Sequence, residues 1–242
     1  AIQTVLAAMC TNGGGTLNFD EPGTIHIGST GANLFYSGIQ VTCSNITLTA
    51  NPGFGVEFRP LFTHGGSLLN ICPAFANSTN YGANKDCLSA PDLSNIVIEN
   101  LYFHDDDPAA HCLSYRPALG VCSGNNTIAG KGEETHAIFI GHTNEALITN
   151  NKVESIGDEG IVVQCDKCVI SKNWVIDTPS IRGSGGSGIE INGSNIVVTE
   201  NVIRNTQADP LGDGAACAGS CQNNGSGIEI ATNLMTTEGV GI

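Results

Sequence analysis

Acidic residues cluster where short apolar segments of the chain end. Asp106 lies in the run HDDD at 104–107, Asp158 and Glu159 lie in GDEG, and Arg182 lies in DTPSIRGSGGSG. Convergent carboxylates can form an acid/base pair for glycoside cleavage, bind calcium through their oxygens, or remain solvated turns. If the protein is an enzyme, we expect Asp158 and Glu159 to carry the reaction, with Asp106 and Arg182 assisting.

A second enzymatic interpretation is proton removal next to the carboxyl group of a uronic acid, as in a lyase or an epimerase. This chemistry needs a base and a positive charge that neutralises the substrate carboxylate. Arg182 and His136 are the candidate groups. The chain has only four arginines, so it offers no broad basic groove for a polyanion.

The composition indicates an extracellular protein. A formal net charge of -14, with only 9 Lys and Arg residues, repels nucleic acids and anionic membranes. No apolar run reaches the ~18 residues that a membrane-spanning helix needs. Cysteines and Asn-x-Ser/Thr sequons are frequent, which is typical of oxidised, glycosylated secreted chains. The sequons begin at Asn45, Asn77, Asn125, Asn192 and Asn224.

The even number of cysteines predicts disulfides, with connectivity left open. A zinc site built from the C-x-x-C at 165–168 and the C-x-x-x-C at 217–221 is the alternative. The simplest local pairings are Cys72 with Cys87 and Cys112 with Cys122. The ten cysteines expected to be oxidised are Cys10, Cys43, Cys72, Cys87, Cys112, Cys122, Cys165, Cys168, Cys217 and Cys221.

An internal repeat decides the predicted fold. Three blocks align without a gap: GIQVTCSNITLTAN at 38–51, GIVVQCDKCVISKN at 160–173 and GIEINGSNIVVTEN at 188–201. Each block holds two short segments with alternating apolar residues, and a third apolar segment follows, as at 174–176. Three short strands that restart about every 23 to 28 residues cannot bury a face alone, so the repeats must stack into a parallel solenoid.

The repeat also predicts which side chains share a face. The residues expected to point into one core are Ile161, Val163, Ile170, Ile189, Ile191, Ile196 and Val198. Each block ends in Asn, which we expect at a sharp bend with left-handed backbone and in a hydrogen-bonded ladder between coils. The predicted ladder residues are Asn51, Asn100, Asn151, Asn173 and Asn201.

The N-terminus adds a family resemblance. An Ile-Gln start, an Ala-rich helix over 2–9 and the strand GGTLNF at 14–19 resemble the pectin-lyase-like superfamily. The resemblance extends over nearly the whole chain. It implies an all-β, single-domain right-handed parallel β-helix (1–242) with three-strand coils and a short N-terminal helix that caps the first coil. Insertions are expected near 72–93 and 104–135, and a loop at 205–226.

The turn Gly157-Asp158-Glu159 is similar to the Gly-Asp-Asp turn of polygalacturonase-type hydrolases in that superfamily. Those enzymes carry a Gly-His-Gly turn one coil later, whereas this chain has GSG at 186–188. Their Arg-Ile-Lys and Asn-Thr-Asp elements are also missing. Lyases of the same fold often use calcium to hold anionic sugars, so the resemblance implies calcium as a possible cofactor.

Two function classes follow. The favoured one is a glycosylated, non-catalytic fibre or surface-coat subunit that associates head to tail. The missing catalytic signatures, the sequons Asn45 and Asn192 within repeat turns, and a chain that stops at Ile242 within a coil favour it. The alternative is a secreted polysaccharide-active enzyme, namely a lyase, an epimerase or a glycoside hydrolase, that uses the acidic turns.

Overall fold

A computed structural model describes residues 1–28, 38–61, 67–73, 92–106, 115–116, 121–122, 136–157, 159–178, 187–206 and 227–230. In these ranges a helix, α1 (Ile2–Thr11), precedes a series of short strands. The strands are β1 (Gly15–Phe19), β2 (Gly23–Ile27), β3 (Ile39–Val41), β4 (Ile46–Ala50), β5 (Val56–Pro60), β6 (Leu69–Ile71), β7 (Leu93–Glu99), β8 (Tyr102–His104), β9 (Tyr115–Arg116), β10 (Val121–Cys122), β11 (Ile138–Thr149), β12 (Lys152–Glu154), β13 (Ile161–Ser171), β14 (Trp174–Ile176), β15 (Ile189–Ser194), β16 (Val197–Thr199), β17 (Val202–Arg204) and β18 (Ile228–Ile230).

The strands stack into two parallel sheets, as the repeat predicts. The first sheet follows the order β1-β4-β7-β11-β13-β15-β18, with β3, β6 and β16 paired beside this path. The second sheet follows the order β17-β14-β12-β8-β5-β2. Each full coil contributes two strand segments to the first sheet, which are fused in β11 and β13, and one strand to the second. The expected right-handed parallel β-helix with three-strand coils is confirmed. Between β8 and β11 in the chain, β9 and β10 form an antiparallel pair within the predicted insertion at 104–135.

The N-terminal helix covers one end of the first sheet, as expected of a cap. Leu6 is 1% exposed and packs into the core. Gln3 replaces a missing strand at the outer edge of β3: its Nε2 donates to Gln40 O at 2.9 Å, and its Oε1 accepts from Gln40 N at 3.0 Å. A planar amide can satisfy both backbone groups that a neighbouring strand would otherwise pair. No helix in the described ranges is long and apolar enough to cross a membrane.

The core confirms the predicted register. All seven residues expected to point inward belong to one buried cluster, and the most exposed of them, Val198, is 5% exposed. Glu190, which lies between two of them, points outward and is half-buried. Since the side-chain period of a strand is two, a slip by one residue would have reversed this pattern.

Three of the predicted ladder asparagines form a hydrogen-bonded column between coils. Asn151 Nδ2 donates to Asn173 Oδ1 at 3.0 Å, and Asn173 Nδ2 donates to Asn201 Oδ1 at 2.9 Å. The backbone N–H of Asn151 and that of Asn173 donate to the same two oxygens. The side chains also donate to strand carbonyls, those of Ile98, Ile148 and Ile170.

The other two asparagines stand outside this column, and of the five predicted residues only Asn100 has left-handed backbone; its Oδ1 accepts from Asn150 Nδ2 on the next coil. Asn51 is exposed and donates to Asp20 O, outside the ladder. Asn100 stands one residue early, because Leu101 occupies the ladder position and donates its N–H to Asn151 Oδ1. The left-handed conformation belongs to the residue before the ladder position, because the bend comes one residue earlier than the repeat suggested. These residues are Asn100, Asn150, Lys172 and Glu200.

Disulfides bear out part of the cysteine prediction. Cys10 bonds to Cys43, which ties α1 to the second coil, and Cys165 bonds to Cys168 across a turn within β13. Cys72 is also disulfide-bonded. The bond between Cys165 and Cys168 consumes two of the four thiolates that the zinc alternative requires. The remaining side chains, those of Cys87, Cys112, Cys122, Cys217 and Cys221, lie outside the description.

Candidate functional site

The predicted catalytic residues fall in different places. Asp158 and Arg182 lie outside the described residues. Glu159 stands two residues before β13, at the start of the first sheet, whereas Asp106 stands two residues after β8 of the second sheet. The structure therefore gives Glu159 and Asp106 different partners on different sheets, and each is considered with its own surroundings.

Glu159 belongs to a column of polar side chains at the start of the first sheet. Strands β6, β11, β13 and β15 pair in register, so the residues two positions before them stack with one residue per coil. Backbone hydrogen bonds from Leu68 N to His136 O and from Gly160 N to Ser187 O continue this stacking beyond the strands. We call this set the polar column; it consists of Ser67, His136, Glu159 and Ser187.

His136 is the central group of the polar column. Its Nε2 lies 2.7 Å from Glu159 Oε2, and its Nδ1 lies 3.2 Å from Ser67 Oγ. The side chains of His136 and Glu159 are 8% and 13% exposed. The ring of Phe139 stacks on the imidazole, with centroids 6.2 Å apart. The Nε2–Oε2 contact is close enough for an ion pair but lacks the geometry of a hydrogen bond, and the Ser67 hydroxyl can donate to Nδ1 when the ring proton is on Nε2.

This geometry suits proton transfer. A carboxylate in contact with a buried imidazole is restricted in orientation, and the low local dielectric strengthens the electrostatic interaction of the pair. Since both ring nitrogens of His136 have protein partners, Glu159 is the member of the pair that can exchange a proton with a substrate. Within the described residues, the polar column holds one carboxylate rather than the facing pair that glycoside hydrolysis requires.

A second cluster covers the outer face of the second sheet. Glu57 Oε1 lies 2.6 Å from His104 Nδ1, and Glu57 Oε2 lies 2.9 Å from Arg59 Nε. Arg59 also pairs with Asp106 through Nη1. The predicted residue Asp106 thus serves as an ion-pair partner here. We call the cluster the charged ladder; it consists of Glu57, Arg59, Tyr102, His104, Asp106, Lys152 and Glu154.

Tyr102 connects the two halves of the charged ladder. Its hydroxyl donates to Glu154 Oε2 at 2.6 Å, and Lys152 Nζ lies 2.5 Å from the same oxygen. The Lys152 ammonium also lies 4.4 Å from the centre of the Tyr102 ring. The His104 ring stacks on the phenol, with centroids 5.7 Å apart and planes 7° from parallel. These contacts fix the orientation of every group involved.

The contacts change the protonation of the charged ladder. Burial by itself raises the pKa of Glu57, but hydrogen bonds from Arg59 and His104 outweigh burial, so its pKa lies below the ordinary value. Burial likewise opposes the hydrogen bonds from Lys152 and Tyr102 at Glu154, and the pKa of Glu154 is also lowered. Burial and then the bond to Glu154 raise the pKa of Tyr102. Near neutral pH the two carboxylates are therefore acceptors, not general acids.

Two of the five predicted glycosylation sites are described, and their accessibility differs. Asn45 is exposed, with left-handed backbone, and its Nδ2 donates to Gly13 O at 3.1 Å. Asn192 is half-buried, and its Oδ1 is out of reach of solvent. Glycosylation stays a prediction that favours Asn45 of these two. The other three sequons, Asn77, Asn125 and Asn224, lie outside the described residues.

The described residues contain no group of three or more His, Cys, Asp or Glu side chains that could hold a metal ion. Calcium therefore stays a prediction from the sequence.

Sequence reasoning named His136 and Glu159 separately and missed Ser67 and most of the charged ladder. The aligned blocks begin at Gly160 and Gly188, and the polar column occupies the position just before each of them. Extending the repeat by one column would have stacked Glu159 on Ser187. The charged ladder had a weaker signal, because its strands are three to five residues long and separated by long insertions.

The comparison with protein families agrees with the fold. A family model described as "Right handed beta helix region" matches residues 63–242. Among solved structures, the chain is similar to the A-module of a mannuronan C-5 epimerase from Azotobacter vinelandii, with 14% identity and a TM-score of 0.44. That match covers 83% of this chain, which spans about half (50%) of the length of the other. A comparison with curated proteins gave no match.

Proposed function

The chain belongs to the right-handed β-helix family, and we propose that within this fold it acts as a polysaccharide-active enzyme. The observation that carries the proposal is the 2.7 Å contact between His136 Nε2 and Glu159 Oε2 at the start of the first sheet. The sequence alone favours a non-catalytic subunit because hydrolase signatures are missing. We prefer the enzyme because the structure contains an orientated carboxylate–imidazole pair. Acid/base catalysis needs such a positioned proton acceptor.

The reaction that this pair supports best is proton abstraction next to the carboxyl group of a uronic acid. Glu159 accepts the proton from the carbon, and the electron pair passes into the substrate carboxyl group. In a lyase these electrons form a carbon–carbon double bond while the adjacent C–O bond breaks, and the departing glycosidic oxygen takes a proton from water; in an epimerase a proton from water returns to the same carbon on the opposite face. His136 is a positioning residue that holds Glu159. Glycoside hydrolysis is less well supported because the described part of the polar column holds no second carboxylate at the separation that this reaction needs.

The test is turnover of uronate-containing polysaccharides by the full chain with its disulfides intact. Lyase products absorb in the ultraviolet, and epimerised products change their proton NMR signals. Glu159→Gln removes the proton acceptor but keeps the shape, so kcat should fall about 10²–10⁴-fold. Glu200→Gln is the matched control, because Glu200 is exposed and lies 3.9 Å from Lys172 on a distant turn. Equal activity of Glu159→Gln and Glu200→Gln would remove Glu159 from the mechanism.

The readout also separates the reaction types. New reducing ends without ultraviolet absorbance would indicate a glycoside hydrolase and contradict proton abstraction. Asp158 and Arg182, which the sequence assigns to the same reaction, stay predictions that the same assay can examine through Asp158→Asn and Arg182→Gln.

Secretion is part of the proposal. The disulfides Cys10–Cys43 and Cys165–Cys168 support an oxidising compartment, because such bonds persist outside the cytosol. Glycosylation of the exposed Asn45 fits the same compartment.

Head-to-tail association is a second proposal that a separate observation favours. In the described part of the chain, β1 pairs with β4 alone and β2 pairs with β5 alone. The apolar side chains of these two strands that pack against the core are only half-buried, namely Leu17, Phe19 and Ile25. An unpaired strand edge can accept a strand of another chain, and a heterologous contact of this kind can repeat into a filament. Gln3 already covers the edge of β3, so the contact would involve β1 and β2.

A further inference from the structure

A polar and aromatic surface on the second sheet is not used by the proposed reaction. Trp174 is the single tryptophan of the chain and is 49% exposed, whereas Val175 beside it is fully buried and anchors the strand. Trp174 pairs in register with Lys152 on one side and Val202 on the other. The exposed indole therefore continues the row of outward side chains that begins with the charged ladder.

The groups beside Trp174 are held in place before any ligand arrives. Glu154 accepts from Tyr102 and pairs with Lys152, and the Lys152 ammonium also lies over the Tyr102 ring. Side chains that are already ordered lose little conformational entropy when a ligand binds. Their remaining lone pairs and N–H groups line a surface next to an aromatic face.

The charge of this surface restricts the ligand. The charged ladder carries three carboxylates, those of Glu57, Asp106 and Glu154, against the cations Arg59 and Lys152. These charges nearly cancel in a chain whose formal net charge is -14. Arg59 and Lys152 already have carboxylate partners, and Arg204 at the β17 end is the one further Lys or Arg on the described strands of this face, so the surface offers a polyanion little attraction. A polycation would find few unpaired carboxylates.

We propose that this face of the second sheet binds an uncharged polysaccharide chain without acting on it. A neutral sugar ring presents an apolar C–H face, which fits the exposed indole, and a rim of hydroxyl groups, which fits the ordered carboxylates and the ammonium. Strands β5 to β17 are five neighbours at a spacing of ~4.8 Å, so the surface extends about 19 Å along the solenoid. That length suits an extended oligosaccharide rather than a single sugar. The site lies on the sheet that does not hold Glu159, and it stands whether or not the proposed reaction is correct.

The experiment is titration of the full chain with cellohexaose, mannohexaose and xylohexaose, and with an oligogalacturonate as the anionic probe. Because Trp174 is the single tryptophan, its intrinsic fluorescence should change on binding of an uncharged oligosaccharide. By calorimetry, Trp174→Ala should weaken binding about tenfold or more, as expected for the loss of a stacked aromatic contact. Val197→Ala is the matched control, since Val197 is 47% exposed on the first sheet and should leave the affinity unchanged.

Several results would overturn the inference. Equal affinities of Trp174→Ala and the wild type would exclude the indole, and binding of oligogalacturonate alone would exclude an uncharged ligand. No binding of any of the three uncharged probes would also reject the site. If Trp174→Ala instead converts an associated form into single chains in light scattering, the face is a protein interface. Both replaced side chains are exposed, so we expect circular dichroism to show that both variants fold.

Discussion

Asn173 should be one of the most sensitive polar positions in the fold. It is fully buried, and its side-chain amide makes four hydrogen bonds. Nδ2 donates to Ile148 O at 3.0 Å and to Asn201 Oδ1 at 2.9 Å. Oδ1 accepts from both the backbone N–H and the Nδ2 of Asn151 at 3.0 Å. We predict that Asn173→Ala strongly destabilises the protein.

The size of the destabilisation follows from the groups that lose a hydrogen bond when the Asn173 side chain is removed. The Asn151 side chain keeps its bond to Ile98 O, and Asn201 Oδ1 keeps the backbone N–H of residue 173. The backbone N–H of Asn151 and the carbonyl of Ile148 lose the hydrogen bonds that the Asn173 side chain supplied. At ~1–3 kcal/mol for each buried group left unsatisfied, the free energy of unfolding should fall by ~2–6 kcal/mol. That is a large share of the ~5–15 kcal/mol typical of a domain.

Guanidinium unfolding of the oxidised protein, followed by circular dichroism, measures the effect. Asn51→Ala is the matched control, because Asn51 is exposed and makes one hydrogen bond, to Asp20 O at 3.1 Å. The control should change the free energy of unfolding by about 1 kcal/mol or less. The midpoint for Asn173→Ala should shift while the slope stays constant. A loss within about 0.5 kcal/mol of the control would refute the claim that the ladder asparagines stabilise the stacking of coils.

Two further predictions concern charge and association. Glu57 and Glu154 have lowered pKa values, so their stabilisation is present above the ordinary value of 4.5 and is lost as the pH falls through the lower pKa of the folded state. The free energy of unfolding of the wild type should therefore exceed that of the double variant Glu57→Gln/Glu154→Gln most near neutral pH, and the difference should shrink below pH 4.5. A difference that stays constant with pH would contradict this prediction. Light scattering of the untagged full chain should give a mass that rises with concentration if copies join through the free edges of β1 and β2. A mass of one chain at every concentration would exclude that proposal.

The sequence by itself determined the local features of this protein. Alternating apolar residues within each block predicted that Ile161 and Ile189 point inward, because neighbouring positions of a strand face opposite sides. The repeat of these blocks predicted stacked coils, since one coil cannot bury its own face. The same repeat predicted a ladder for Asn151, Asn173 and Asn201, where neighbouring coils follow one another after short turns.

Only the tertiary structure decided which side chains meet between coils. Glu57 and His104 lie 47 residues apart in the chain, and Ser67 and His136 lie 69 apart. Insertions of different length separate these coils, so the spacing along the chain does not give their register. Asn51 is in register with the ladder but does not join it, because Leu101 occupies the ladder position of the coil between Asn51 and Asn151, and Asn100 precedes that position by one residue. Contacts between coils depend on stacking, which backbone hydrogen bonds establish across the whole sheet, whereas the apolar pattern records only the direction of each side chain.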